Sequence, residues 1–114
     1  MVVDKLSTTF AALSDPTRRQ IIDRLTVGPA SVQELTAPFS ISQQAISKHL
    51  AYLERARLIK KRKEGREQIC TLNPRVIRDV AAWAENYRRY WEENYERLDT
   101  LLEEMKADEK KVRK

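Results

Sequence analysis

Apolar residues recur with helical spacing through most of this chain. Leu6, Phe10 and Leu13 stand four and then three apart, which places them on one face of a first helix. Ser14-Asp15-Pro16 interrupts that face. Asp15 is a good N-cap and Pro16 a good first residue for a second helix, whose apolar side holds Ile21, Ile22 and Leu25. Gly28-Pro29 ends it. Ser31 and Glu34 have the spacing of a capping box and open a short third helix around Val32 and Leu35, which stops near Pro38. Ser42 caps a fourth helix, with Ile41 before the cap and Ile46 inside it as a hydrophobic staple. Ile46, Leu50 and Leu53 form its buried ridge, and it ends near Ala56 or Arg57.

The pattern then changes. In LIKKRKEGREQICTL, residues 58–72, two runs containing β-branched residues flank Glu64-Gly65, which predicts a β-hairpin with Gly65 in its turn. Asn73-Pro74 reads as another cap and first position. From Pro74 to about Lys106 there is no glycine and no internal proline. One heptad seam holds Ile77, Ala84, Trp91, Leu98 and Met105, the other Val80, Tyr87, Asn94 and Leu101. The spacing predicts one long helix of about four heptads, followed by a charged, fraying tail over 107–114. The organisation is therefore a core over 1–73, a terminal helix over 74–106 and a tail, with no repeats and no low-complexity linker.

Composition narrows the class. The 114 residues fit one domain, and only two glycines and four prolines agree with a mainly helical chain. A net charge of +5 and a pI near 9.5 favour an anionic partner, nucleic acid before an acidic membrane surface. One cysteine, Cys70, excludes an internal disulfide and fits a reducing, cytoplasmic setting. No secretory leader and no membrane span are legible. One histidine, no nucleophile–base pair and no glycine-rich phosphate loop argue against an enzyme, and no cofactor is expected.

The fourth helix carries the candidate chemistry. With Ile46 at 0° and about 100° per residue, Gln44, Ser47, Lys48, Ala51 and Arg55 fall between roughly 100° and 200°, opposite the ridge. No acidic residue lies within that face. Glutamine can bond an adenine edge through both amide atoms, serine can bond base edges or phosphate, alanine admits close approach, and the cations suit phosphate or guanine. An ordinary solvated face is the other reading. His49 falls near 300°, beside the ridge, as a structural residue or one bonding phosphate at the helix edge. Lys60, Lys61, Arg62, Lys63 and Arg66 crowd the hairpin turn, where a DNA-contacting tip and a lysine-protected edge strand are both readings. The candidate DNA-binding set is Gln43, Gln44, Ser47, Lys48, His49, Arg55, Lys63 and Arg66.

With FAALSDPTRRQIIDRL, SVQEL, ISQQAISKHLAYLERARLIKKRKEGRE and the long last helix in view, the chain resembles the ArsR/SmtB family of bacterial winged-helix repressors from about Leu6 to Leu102. The resemblance implies a mainly α fold of four helices, a β-hairpin wing and a long C-terminal helix. It also implies a homodimer that binds an inverted repeat in double-stranded DNA and represses transcription. The first and last helices would build the dimer, here Leu6, Phe10, Leu13, Val80, Trp83, Ala84, Tyr87, Trp91 and Leu98. Metal-sensing members resemble one another in cysteines near the third and fourth helices, or histidine and carboxylate ligands in the last. SVQELTAPF holds no cysteine and the last helix no histidine, so no metal site is carried over. The chain looks closer to a non-metal branch with a W-x(3)-Y-x(3)-W layout, here Trp83, Tyr87 and Trp91.

The aromatic cluster Trp83, Tyr87, Tyr90, Trp91 and Tyr95 has two readings. It is a dimer and packing surface, or it lines a small-molecule pocket in which Asn94 is the polar anchor. Asn94 could instead fix the register of paired helices. The expectation is a metal-independent, sequence-specific DNA-binding repressor. The alternatives are a protein-interaction module that works through the long helix, and a derepressor answering to a small-molecule effector of unknown identity.

Overall fold

The computed structural model describes residues 4–112, apart from the side chains of Trp91, Lys111 and Val112. In chain order it contains α1 (Lys5–Leu13), α2 (Pro16–Leu25), β1 (Ala30–Ser31), α3 (Val32–Thr36), α4 (Gln43–Arg55), β2 (Ile59–Glu64), β3 (Glu67–Leu72), α5 (Pro74–Glu85) and α6 (Arg88–Val112). This is a mainly helical winged helix-turn-helix. Two compact units part between Val80 and Ala81.

Four helices in the first unit begin on a side-chain oxygen that accepts an orphan backbone N–H. Asp4 accepts from Ser7 at 2.8 Å, Asp15 from Arg18 at 3.1 Å, Ser31 from Glu34 at 3.0 Å and Ser42 from Ala45 at 3.1 Å. The expected capping box is closed, because the Ser31 amide donates to the Glu34 carboxylate at 3.4 Å. The core is continuous across helices and sheet: Ile21, Leu35, Ile46, Leu50, Leu53, Leu58, Ile59 and Cys70 are all fully buried. The expected α4 ridge is therefore in place.

α1 turns its small side chains inward. Its innermost residues are the small Thr9 and Ala12, while Leu13 packs at the core's edge, Leu6 is half-buried and Phe10 stays 41% exposed. Small side chains let α1 lie close to its neighbours. Thr9 enters the interior without an unpaired hydroxyl, since it donates to the Lys5 carbonyl at 2.9 Å.

α4 ends in a Schellman motif. The Leu58 N–H reaches the Leu53 carbonyl and the Arg57 N–H the Glu54 carbonyl, both at 3.0 Å, with Arg57 at φ 63°. Leu53 and Leu58, the apolar pair that accompanies such a motif, are both fully buried. β2 and β3 then form the expected hairpin, in register from Ile59–Leu72 to Glu64–Glu67, with Gly65 and Arg66 as its two-residue turn. Gly65 has φ 61° and Arg66 a negative φ, as a type II′ turn requires. The short β1, which no periodicity signalled, pairs Ala30 with Cys70 and Ser31 with Ile69, giving sheet order β1-β3-β2. Asn73 ties the hairpin's exit to its entrance: its amide N–H donates to the Leu58 carbonyl and its Nδ2 to the Arg57 carbonyl, each at 2.8 Å.

The terminal segment corrects the expectation of one unbroken helix from Pro74 to Lys106. It runs as α5 and α6 with a turn at Asn86-Tyr87. Asparagine competes with helical backbone bonding. Here the Asn86 and Tyr87 amides bond the carbonyls three residues back, Trp83 and Ala84, at 3.3 and 3.0 Å. The helix also outlasts Lys106 and continues to Val112.

Candidate nucleic-acid interface

α3, the turn after it and α4 form the helix-turn-helix, and β2 with β3 forms the wing. Gln43, Gln44, Ser47 and Lys48 are exposed on the first half of α4. Among the described residues none of these four side chains makes a hydrogen bond or ion pair. That contrasts with the helix's own cap, Ser42, whose hydroxyl is engaged. Arg55 is exposed two turns further on, its guanidinium 5.7 Å from the Tyr52 ring centre.

The wing sorts its charges. Arg62 pairs with Glu64 at 3.2 Å and Lys61 approaches Glu54 of α4 at 3.9 Å. Lys63 and the turn residue Arg66 are exposed and carry no ion pair among the described residues. A cleft of about 290 Å³ lies between α3, α4 and the wing. The structure thus brings Gln43, Ser47 and Arg66 together along one polar trough, while Gln44, Lys48, Lys63 and Arg55 lie outside its lining. Lys61, one of the cations read at the hairpin, also lines it, as do Gln33 and Gln68, which were missed from sequence. Gln68 could have been found by pairing the hairpin outward from Gly65, which sets it opposite Lys63. Gln33 had no periodic signal.

His49 is half-buried, and its Nδ1 lies 3.4 Å from an Nη of Arg18. Arg18 is the centre of a joint that the motif DPTRR builds. Its Nε donates to the Ala12 carbonyl at 2.6 Å and its other Nη to Ala11 at 3.2 Å. Arg19 donates to the Leu13 carbonyl at 2.7 Å. The two cations so fill the open carbonyls at the C-terminal end of α1, where the helix dipole is negative. The Arg18 guanidinium also stacks 4.1 Å from the Tyr52 ring centre. Asp15 closes the arrangement. Its carboxyl is held below the usual carboxylate value chiefly by the Arg18 amide, with the His49 charge acting in the same direction and burial against them.

Cys70 is fully enclosed. Burial pushes its thiol above the ordinary value and nearby Lys61 only partly opposes this, which suits a packing residue more than a reactive one. Among the described residues no three His, Cys, Asp or Glu side chains could share a metal ion, and no helix is long and apolar enough to cross a membrane.

The residues expected at a dimer interface are displayed and not enclosed. Trp83, Tyr87 and Leu98 are 39%, 43% and 46% exposed, Val80 and Ala84 half-buried, and the Trp91 side chain lies outside the described residues. Trp83 and Tyr87 meet at 5.1 Å between ring centres, tilted 55°. Asn94, expected as a pocket anchor or register residue, donates to the Tyr90 carbonyl of its own helix at 2.8 Å.

Comparison with known proteins gives the same outline. A helix-turn-helix domain family matches residues 13–62. The transcriptional repressor SdpR of Bacillus subtilis is 35% identical over 82 residues, 72% of this chain and 91% of that protein. The HTH-type transcriptional regulator Rv2034 of Mycobacterium tuberculosis is 39% identical over 82 residues, 72% of this chain and 74% of its own. Among solved structures, an ArsR family transcriptional regulator superposes with a TM-score of 0.71 at 37% identity, covering 78% of this chain and 98% of that one.

Proposed function

The chain belongs to the ArsR/SmtB-type family of winged helix-turn-helix, DNA-binding transcriptional regulators, and from that premise we propose that it is a metal-independent repressor that binds an inverted-repeat operator as a homodimer. The observation that carries the reading is the unspent polar face of α4. Among the described residues Gln43, Gln44, Ser47 and Lys48 keep their donors and acceptors free beside a wing tip whose Lys63 and Arg66 are also unpaired. Side chains of this kind on a recognition helix read base edges in the major groove. Arg55, Lys63 and Arg66 hold phosphates, and His49 stands at the edge of the face. The trough lining adds Gln33, Lys61 and Gln68 to the contacts.

The homodimer reading is supported by the terminal unit. Tyr90, Tyr95, Leu98, Leu101, Leu102 and Met105 of α6 are all 44–63% exposed, more apolar surface than a lone helix keeps in water without a partner. The sparse donor set, one histidine and one enclosed cysteine, supports metal independence.

Selection from a randomised duplex pool at rising salt tests the function. The expected result is an enriched inverted repeat with half-site centres about one helical turn, or a small multiple of it, apart. Salt-sensitive binding with no enriched motif would refute the operator reading and turn the search towards a protein partner of α6.

A further inference from the structure

We propose that Arg18 is the positioning residue of the recognition helix, and that it holds α4 through the neutral form of His49, so that operator affinity follows the protonation of that single imidazole. This rests on the operator-binding reading above. Arg18 belongs to α2, yet its side chain touches three elements at once. It grips the last carbonyls of α1 at Ala11 and Ala12, stacks on Tyr52 and meets His49 Nδ1, the last two both on α4. His49 and Tyr52 stand one turn apart on the side of α4 next to its outward face. A guanidinium fixed at two carbonyls and one ring therefore fixes the roll of α4 about its axis, which decides where Gln44 and Ser47 point.

The contact with His49 constrains chemistry as well as geometry. Arginine has only donors, so Nδ1 must present its lone pair and the ring proton must sit on Nε2. A protonated imidazole has no acceptor and meets the guanidinium as a like charge. The charged groups bearing on the ring from α2 are Arg18 and Asp15, which act in opposite senses. α1 contributes backbone carbonyls to the joint, and α4 itself carries Lys48 and Arg55 on the same helix. Asp15 attracts a charged ring, and what a proton on Nδ1 sacrifices is the Arg18 contact.

The sign distinguishes this from a direct role of His49 on DNA. If His49 bonded a phosphate, acidification would tighten binding. As the acceptor for Arg18, it makes acidification weaken specific binding. Operator affinity of the full chain is measured between about pH 7.5 and about pH 5.5, the range in which imidazole titrates, beside affinity for a scrambled duplex. The expected loss for the operator is about tenfold, the worth of one charge-assisted hydrogen bond, with no loss for the scrambled duplex. His49→Asn keeps an acceptor at the position of Nδ1 that cannot titrate, so its profile is expected to be flat. Arg18→Lys keeps the charge but loses the fork and the stack, and is expected to bind the operator weakly at every pH. Tightening on acidification, an unchanged slope in His49→Asn, or full rescue by lysine would overturn the proposal. Failure of the wild type to select any operator would instead strike the regulator reading, and the affinity claim with it. The joint is then decided by imidazole nitrogen shifts, unambiguous in a chain with one histidine: a proton on Nε2 at neutral pH supports it and one on Nδ1 removes it.

Discussion

Up to Val80 and beyond Ala81 the chain uses the same alphabet of apolar and polar positions to opposite ends. In the first unit helical periodicity ends in burial, with Ile21, Leu35, Ile46, Leu50 and Leu53 removed from water. In the second, an apolar stripe equally regular in sequence leaves Leu98, Leu101 and Met105 about half exposed. Periodicity states which residues share a face. Only a neighbouring element turns that face into a core. The first unit is thus built around a buried core, and the second displays its apolar stripe.

The sharpest way to break this contrast is to shorten one leucine from each unit. Leu50→Ala removes a fully buried side chain between α4 and the sheet, and should cost about 2–5 kcal/mol of stability in chemical denaturation. Leu101→Ala, at 51% exposure, should change the stability of the dilute chain by less than about 0.5 kcal/mol. Its effect should appear instead as weaker self-association by sedimentation. Equal losses for the two in dilute solution would mean that α6 is already packed by its own chain.

A second contrast runs inside the first unit, between polar residues spent on the fold and those held free. Asp15, Arg18, Arg19, Ser31 and Ser42 all bond backbone or neighbouring side chains. Gln44, on the same helix that Ser42 caps, bonds nothing among the described residues. Gln44→Ala should therefore leave the melting curve in place and weaken operator binding by about 1–3 kcal/mol, with relaxed preference at one base position. A lower melting temperature with unchanged specificity would put Gln44 among the structural residues. Arg66→Ala should do less: uniform weakening on all duplexes and a salt slope reduced by about one. An unaltered slope would take the wing tip off the DNA.

Legibility followed the range of the interaction. The caps at Asp15, Ser31 and Ser42, the ridge of α4 and the Gly65 turn each depend on residues within a few positions, and each was readable. The pairing of Ala30 with Cys70 spans forty positions and involves a two-residue strand, too short for any alternation to register. The break at Asn86-Tyr87 was hidden because the heptad count passes through it unbroken, and only the weak helix preference of asparagine hinted at it. On the site, the outward face of α4 was visible as a pattern. The joint at Arg18 was not, because DPTRR reads as a helix start. That its two arginines fold back onto the preceding helix is a fact of packing.

The smallest effect concerns the one non-glycine residue with positive φ among the described residues. Arg57 occupies the left-handed position that closes α4, where a side chain costs about 1–2 kcal/mol and glycine costs none. Arg57→Gly relieves that strain but gives the unfolded chain more freedom to lose, so the net gain should be about 0.5–1 kcal/mol, a melting temperature higher by a few degrees. The Leu53 and Leu58 bonds that define the motif use backbone alone and survive the change. Operator affinity then separates two accounts of why arginine stands there. If it is unchanged, the side chain is incidental and the strain is simply tolerated. If affinity falls while stability rises, the first unit has given up stability at the end of its recognition helix to keep a cation near the DNA, and Arg57 joins Arg55 and Arg66 on the free side of the contrast.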